Sequence, residues 1–506
     1  MPALSIIDLA MFVLETPERP FNIGPLILLD PPARGRATFA DRLVAGMLKR
    51  PPGVPFNYKL RVPMLGMPSL EIDADPDIAS HVHRITLAAP GNFDQLSAKV
   101  CELHEMRLDR SRLLWDLYVI DGLEGGKVAL YGKTHHGIID GRGFVQAISN
   151  WLALSDTDRS VRAMWEALPT RAREDGVRAS VGQRLTKLLG GVKGTASSAV
   201  GVYGMLGQQW LKALGLGAKG MSLPFTGIPR ALRGRASSKR SFAFTTLPIR
   251  DMKAFGKAHG ATLNDLLLVC LDIALARYLR DQGQKPGKAL VTAMPIALAN
   301  ADGGNQIAVL QFPLGAPELS ARERLDAIHA ETETIKSVIN KSTNDTVMLY
   351  TTLVHGLPAL VEKAGLKRGL SVSNLMVSNP FGFPEKRYLM GAPVEMVLPI
   401  SVVPAGQLLN VTAVSLGERL QIGFLAMPEA VPDIEKLARY TSEAFDDLVR
   451  DIAKPAVKEQ AQEAPAAEAA PKRPRAPRKA PEGRVVAAKK AARPRARRPA
   501  KQPATS

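Results

Sequence analysis

The chain has 506 residues, 46% of them hydrophobic, and a formal net charge of +18 at pH 7. That length allows about three units of roughly 150 residues, or two large units with extensions. Its two cysteines, Cys101 and Cys270, lie in unrelated segments. They exclude a disulfide framework, and no Cys/His spacing suits structural zinc, so a reducing compartment is expected.

The N-terminal stretch MPALSIIDLAMFVLETPERPFNIG carries Asp8, Glu15 and Glu18 without a positive leading region, and does not read as a secretion signal. No run of about 18 uncharged apolar residues predicts a membrane-crossing helix. A cytoplasmic protein is expected, with any membrane contact peripheral.

Strand-like and helix-like segments alternate along two long stretches. In the first, IGPLILL and HVHRITL have strand character, and FDQLSAKVCELHEMRL has helical periodicity. WDLYVIDGL and GKVALYGKTHH then read as strands joined by a turn at Glu124-Gly125-Gly126. GRGFVQAISNWLAL reads as a helix. Residues 155–240 are rich in Gly, Ser, Arg and Lys around the weakly apolar VGVYGMLGQQWLKALGLG, which suits a crossover better than a core.

The second stretch opens with the strand SFAFTTLPI and the strongest helix signal of the chain, ATLNDLLLVCLDIALARYLRDQG. Thr262 is placed as its N-cap, Asp265 at the third helical position and Gly283 beyond its end. GKALVTAMPI and NQIAVLQFPL predict strands, and SARERLDAIHAETETIKSVI an amphipathic helix. SNLMVSN, YLMGAPVEMVLPISVV, LLNVTAVSL and RLQIGFLA predict further strands before a last helix, DIEKLARYTSEAFDDLVRDI. The expected organisation is an N-terminal unit 1–154, a crossover 155–240, a C-terminal unit 241–453 and a tail 454–506.

The tail holds 15 Lys/Arg against 4 Glu, so +11 of the net charge sits there. Ala, Pro and basic residues cannot bury enough surface to offset ordering entropy, so the tail is expected to be disordered. It suits solvation, or non-specific binding to nucleic acid or an anionic lipid surface. No aromatic residue lies among its cations to stack on bases.

The most distinctive local pattern is YGKTHHGIIDGRG, Tyr131 to Gly143. Adjacent residues of a strand point to opposite faces, so of His135 and His136 only one can face a given cavity. Asp140 and Gly141 follow at a turn, and a neutral imidazole in so apolar a segment could serve as a base. A metal site would need a third ligand, and none is close in sequence. A histidine satisfied within a core is the plain alternative.

The pattern His-His-x-x-x-Asp-Gly resembles the active-site motif of acyltransferases with the chloramphenicol-acetyltransferase-like fold. Surrounding residues resemble one branch, the bacterial wax ester synthase/diacylglycerol acyltransferases. These are the opening LSIIDLAMFVLETPERPFNIG, the segment LDRSRLLWDLYVIDGLEGG, the Asn264-Asp265 helix, VSNPFGFPEKRYLMGAPVE, and GQLLNVTAVSLGERLQIGF. The similarity runs in order over about residues 4 to 450. The chain departs from the family pattern at Leu113 for proline, at Ala297 for a serine hydroxyl, in the order Asn379-Pro380-Phe381-Gly382, and at Leu416 for tyrosine.

The resemblance implies an α/β fold of two chloramphenicol-acetyltransferase-like domains, each a mixed sheet with helices, with a tunnel at their interface. It implies His136 as general base, taking the proton of an acceptor hydroxyl that attacks an acyl-CoA thioester. His135, on the other face, would buttress the strand. Asp140 would fix the loop through a buried ion pair, Gly141 would relieve the turn, and Asn264 and Asp265 would hold the interface of the halves or polarise the site. It implies acyl-CoA as co-substrate, no metal or redox cofactor, a diacylglycerol or long-chain-alcohol acceptor, and a peripheral membrane or lipid-droplet surface as partner. The alternatives are an acyltransferase for another hydroxyl or amine, and a non-catalytic lipid-droplet or nucleic-acid binding protein on the same scaffold.

Overall fold

The computed structural model describes residues 4, 6–64, 68–166, 202, 204, 224–298, 307–365, 370–380 and 382–453. The apolar stretch 200–217, except Val202 and Gly204, and the basic tail 454–506 lie outside the described residues.

In chain order the strands are β1 (Asn22–Leu29), β2 (Tyr58–Arg61), β3 (Ser69–Ile72), β4 (Val82–Thr86), β5 (Trp115–Asp121), β6 (Val128–His135), β7 (Ser241–Pro248), β8 (Val291–Ala297), β9 (Ile307–Pro313), β10 (Leu375–Ser378), β11 (Tyr388–Leu389), β12 (Ala392–Ile400), β13 (Leu409–Leu416) and β14 (Arg419–Ala426). The longer helices are α1 (Ile6–Leu14), α2 (Phe39–Met47), α3 (Phe93–Glu105), α4 (Gly141–Trp151), α5 (Ile249–His259), α6 (Leu263–Asp281), α7 (Ala321–Lys341), α8 (Asn344–Lys363) and α9 (Ile434–Ala453).

Two six-stranded mixed sheets carry the fold, ordered β11-β12-β1-β6-β5-β4 and β7-β14-β13-β10-β8-β9. The first takes four strands from the N-terminal half and two from the C-terminal half. YLMGAPVEMVLPISVV is read above as one strand. Met390 and Gly391 both have positive φ, 50° and 76°, and break it into a hairpin. Its long arm, β12, runs antiparallel beside β1 with Leu26 opposite Leu398. One sheet is thereby built from both halves of the chain.

Burial explains why β1 and the first half of β6 are apolar runs: all eight residues of each strand are buried, Lys133, Thr134 and His135 at the end of β6 included. Val128 and Leu130 enter the core under α2 and α4, while Ala129 and Tyr131 enter the core shared with the second sheet. A strand covered on both faces loses the polar alternation of a half-exposed one. The sheets come closest where β14 crosses β12. A Cβ on Gly423 would strike the Pro399 carbonyl, and the Gln421 side-chain oxygen accepts the Val397 amide at 2.6 Å.

α6 sits within the second core with residues 265–272 buried, and it packs on α9, α7 and α5. Its N-terminus carries a full capping box: the Thr262 hydroxyl accepts the Asp265 amide, and the Asp265 carboxylate accepts the Thr262 amide.

Candidate active site

β6 ends where three backbones meet. The His135 amide donates to the Leu114 carbonyl at 2.9 Å, and the His136 amide donates to Phe21 at 2.8 Å. The β5 entry and the β1 entry therefore fix the two histidines before any side chain acts. The Leu113-Leu114-Trp115 segment is held in turn by Trp115, fully buried, which stacks on Trp165 and donates to the Phe56 carbonyl.

The His135 imidazole is buried at 1% exposure and lies flat on Phe12 of α1, the rings 4.2 Å apart. Its Nδ1 accepts the Gly137 amide at 3.0 Å, which puts the proton of the neutral ring on Nε2. That atom faces Glu15 Oε1 at 3.7 Å. Glu15 is itself buried, accepts the Phe21 amide, and pairs with Arg110 at 2.7 Å. Burial, then the positive charge of Arg110 and the neighbouring His136, push the His135 pKa down to about 3, so this ring stays neutral. Gly137 allows the arrangement: a Cβ there would lie 2.6 Å from the Phe12 ring.

His136 is half-buried, unlike its neighbour. Asp140, expected in a buried ion pair, is also half-buried and holds a backbone amide. Its carboxylate accepts the Gly143 amide at 2.6 Å and caps α4. The cap turns the chain from β6 into α4 and satisfies one of the helix's free donors.

The C-terminal half reaches this loop through Pro380. A Cβ on Gly141 would come within 3.3 Å of Pro380, so the loop and the Asn379-Pro380 segment are closely apposed. Asn379 Nδ2 donates to Asn264 Oδ1 at 2.8 Å, which ties that segment to the start of α6. Gly382 permits its far end to lie on β13, where a Cβ would strike Ser415, and the Phe383 amide donates to the Ser415 carbonyl at 2.7 Å. The structure thus links Gly141, Pro380, Asn379 and Asn264 across the two halves.

Asp265 faces elsewhere. It is fully buried and accepts from Thr332 at 2.7 Å and from His329 at 2.9 Å, both on α7. Burial alone would raise its carboxyl; the Thr262, Thr332 and His329 hydrogen bonds outweigh that and hold it below the usual range. It locks α6 to α7 inside the C-terminal half. His329 and Thr332, three residues apart on one helix face, were the available signal for this pairing. Phe12, Glu15 and Arg110 had none, because their meeting with His135 is non-local.

A second junction joins the halves beside α1. Arg19, 5% exposed, pairs with Glu362 at 2.9 Å and donates to the carbonyls of Val403, Pro404 and Gln407. It borders a cleft of about 520 Å³ whose rim also carries Arg233, Arg235 and Lys363.

The comparisons with known proteins agree with this architecture. The wax ester synthase/diacylglycerol acyltransferase catalytic domain matches residues 4–267, and the C-terminal domain of the same family matches residues 303–449. A Mycobacterium bovis protein named as a diacylglycerol O-acyltransferase is 32% identical over 465 residues, covering 88% of this chain and 96% of its own length. The O-acyltransferase WSD of Acinetobacter baylyi is 28% identical over 458 residues, covering 90% and 98%.

Among solved structures, the wax ester synthase/diacylglycerol acyltransferase of Marinobacter aquaeolei VT8 superimposes with a TM-score of 0.65 at 23% identity, over 88% of this chain and 98% of that one. A starter condensation domain of rhizomide synthetase, solved with C8-CoA, gives 0.52 at 15% identity, over 89% and 94%. The fold is therefore that of the chloramphenicol-acetyltransferase-like condensation enzymes. Within that class, the chain belongs to the wax ester synthase/diacylglycerol acyltransferase family and is an acyltransferase of that type.

Proposed function

We propose that the protein transfers a fatty acyl group from acyl-CoA to the hydroxyl of a diacylglycerol or a long-chain alcohol, with His136 as general base. The observation that carries the reading is the asymmetry at the end of β6. His135 is buried, stacked and neutral, while His136 is half-buried on a backbone fixed at Phe21. His136 removes the hydroxyl proton as the oxygen attacks the thioester carbon. The tetrahedral intermediate collapses by breaking the C–S bond, and the departing thiolate takes the proton from the imidazolium, leaving ester and free CoA. A covalent acyl-cysteine is disfavoured: both thiols are buried, and burial pushes Cys101 up to about 12 and also raises Cys270.

Asp140 and Gly141 shape the loop, and Asn264 holds the opposing segment through Asn379. The names of the Mycobacterium and Acinetobacter relatives favour a lipid hydroxyl as acceptor, and the C8-CoA complex of a protein with this fold favours acyl-CoA as donor. The test is transfer of radiolabelled acyl-CoA to a panel of diacylglycerols, long-chain alcohols, short alcohols and amines. Ester formation with the first two is expected; selective amide formation, or no transfer to any acceptor, overturns the reading.

A further inference from the structure

α8 lacks the polar face that a surface helix ordinarily presents to water. Between Asp345 and Glu362 its sequence, TVMLYTTLVHGLPALV, contains no Asp, Glu, Lys or Arg. Its inner face is buried through Val347, Tyr350, Val354 and Ala359. Its outer face carries Leu353, Leu357 and Leu360, exposed by 55%, 42% and 55%, at the i, i+4, i+7 spacing of one helical ridge. α1 continues the patch: Lys363 at the end of α8 donates to the Val13 carbonyl, and the Val13 side chain is 46% exposed.

We propose that this ridge docks the protein on an anionic phospholipid surface. Three observations select that occupant. Four side chains fall well short of the roughly 20–30 residues a side that a standard protein interface uses. The C-terminal end of the ridge borders the basic cleft, where exposed Arg233, Arg235 and Lys363 stand beside Glu18 and the Arg19–Glu362 pair. Cations flanking an exposed aliphatic ridge match headgroups above acyl chains. α1 also ties the patch to the candidate site through its backbone: Val13, on its exposed side, follows Phe12, whose buried ring stacks on His135. Among the described residues no single helix is long and apolar enough to cross a membrane, so the contact is interfacial. That the surface also supplies the acceptor rests on the acyl-transfer reading; the docking itself does not.

The test is sedimentation of the full chain with vesicles of equal parts phosphatidylcholine and phosphatidylglycerol, at low salt and at about 1 M NaCl, where the Debye length is only ~3 Å. High salt suppresses attraction through the basic tail and leaves apolar insertion. Wild type should stay vesicle-bound at high salt. Leu353→Gln/Leu360→Gln should bind at least about tenfold more weakly, with unchanged melting temperature and unchanged turnover of a water-soluble short-chain alcohol. Equal binding by the variant, or loss of wild-type binding at high salt, overturns the proposal. So does a wild-type dimer that the variant converts to monomer, because the ridge is then an interface between copies. Absence of turnover in both proteins sinks the acyl-transfer reading and leaves the binding result standing.

Discussion

The two sides of the β6 terminus are built differently, although one residue separates them. On the inner side the Phe12 ring of α1 stacks on His135, Glu15 just beyond α1 faces its Nε2, and Arg110 from the loop before β5 pairs with Glu15. On the outer side His136 is half-buried and is positioned through its backbone. The difference teaches that support and chemistry need opposite surroundings. A buttress gains from burial, which removes charge and fills space. A base must keep access to a ligand and to both protonation states.

The sharpest way to break this contrast is to remove each ring in turn. His136→Ala is expected to lower kcat by about 10²–10⁴-fold, the usual cost of losing a general base, with the melting temperature unchanged. Thermal melts and initial rates on one preparation check both halves of the statement. An active His136 variant beside a dead, well-folded His135 variant would reverse the roles.

The inner side can be sharpened by pH. In the unfolded chain His135 takes a proton near pH 6.5; in the folded protein burial delays that to about 3. The unfolded state therefore binds more protons across this window, and stability rises with pH through it. The contribution is fully present above pH 6.5 and is lost as pH falls, by up to about 1.4 kcal/mol per pH unit. His104, buried against Tyr131 with its pKa lowered to about 3, adds a parallel loss. Denaturant titrations from neutral to acid pH should show the slope in wild type and a shallower one in His135→Ala. Equal slopes in the two proteins would mean that His135 titrates freely.

At neutral pH His135→Ala is expected to cost about 1–3 kcal/mol of stability and to reduce turnover far less than His136→Ala. It removes the stack on Phe12 and the acceptor of the Gly137 amide. Recovery of the lost stability by an aromatic replacement such as His135→Phe, without the Nδ1 acceptor, would assign the cost to stacking rather than to the hydrogen bond.

Much of this site is legible in the sequence because its signals are local. The apolar start of β6, the Asp-Gly turn and the Thr262 cap are each written within a few residues, and α6 is a long helix with its ends marked. What escapes is non-local or disguised. Nothing in the composition of β12 says that it pairs with β1, nor that Asn379 meets Asn264. α8 is disguised by composition: Thr, Val and Tyr favour strands, Gly356 and Pro358 interrupt helical propensity, and apolar residues on both faces hide the period. The helix hardest to read is the one whose outer face is left exposed and apolar.

The smallest expected effect separates two readings of Asp140. Were its carboxylate half of a buried ion pair, removal of its charge would cost about 3–5 kcal/mol. The structure instead shows a half-buried cap on the Gly143 amide. Asn caps a helix about as well as Asp, whereas Ala cannot cap at all. Asp140→Asn should therefore lose only a few tenths of a kcal/mol, and Asp140→Ala about 1 kcal/mol. Chemical denaturation of the three proteins decides between the readings. An Asn variant as unstable as the Ala variant would show that the charge, not the cap, holds the loop. An Asn variant of full stability but with lost turnover per folded molecule would move Asp140 from the support of His136 into the chemistry itself.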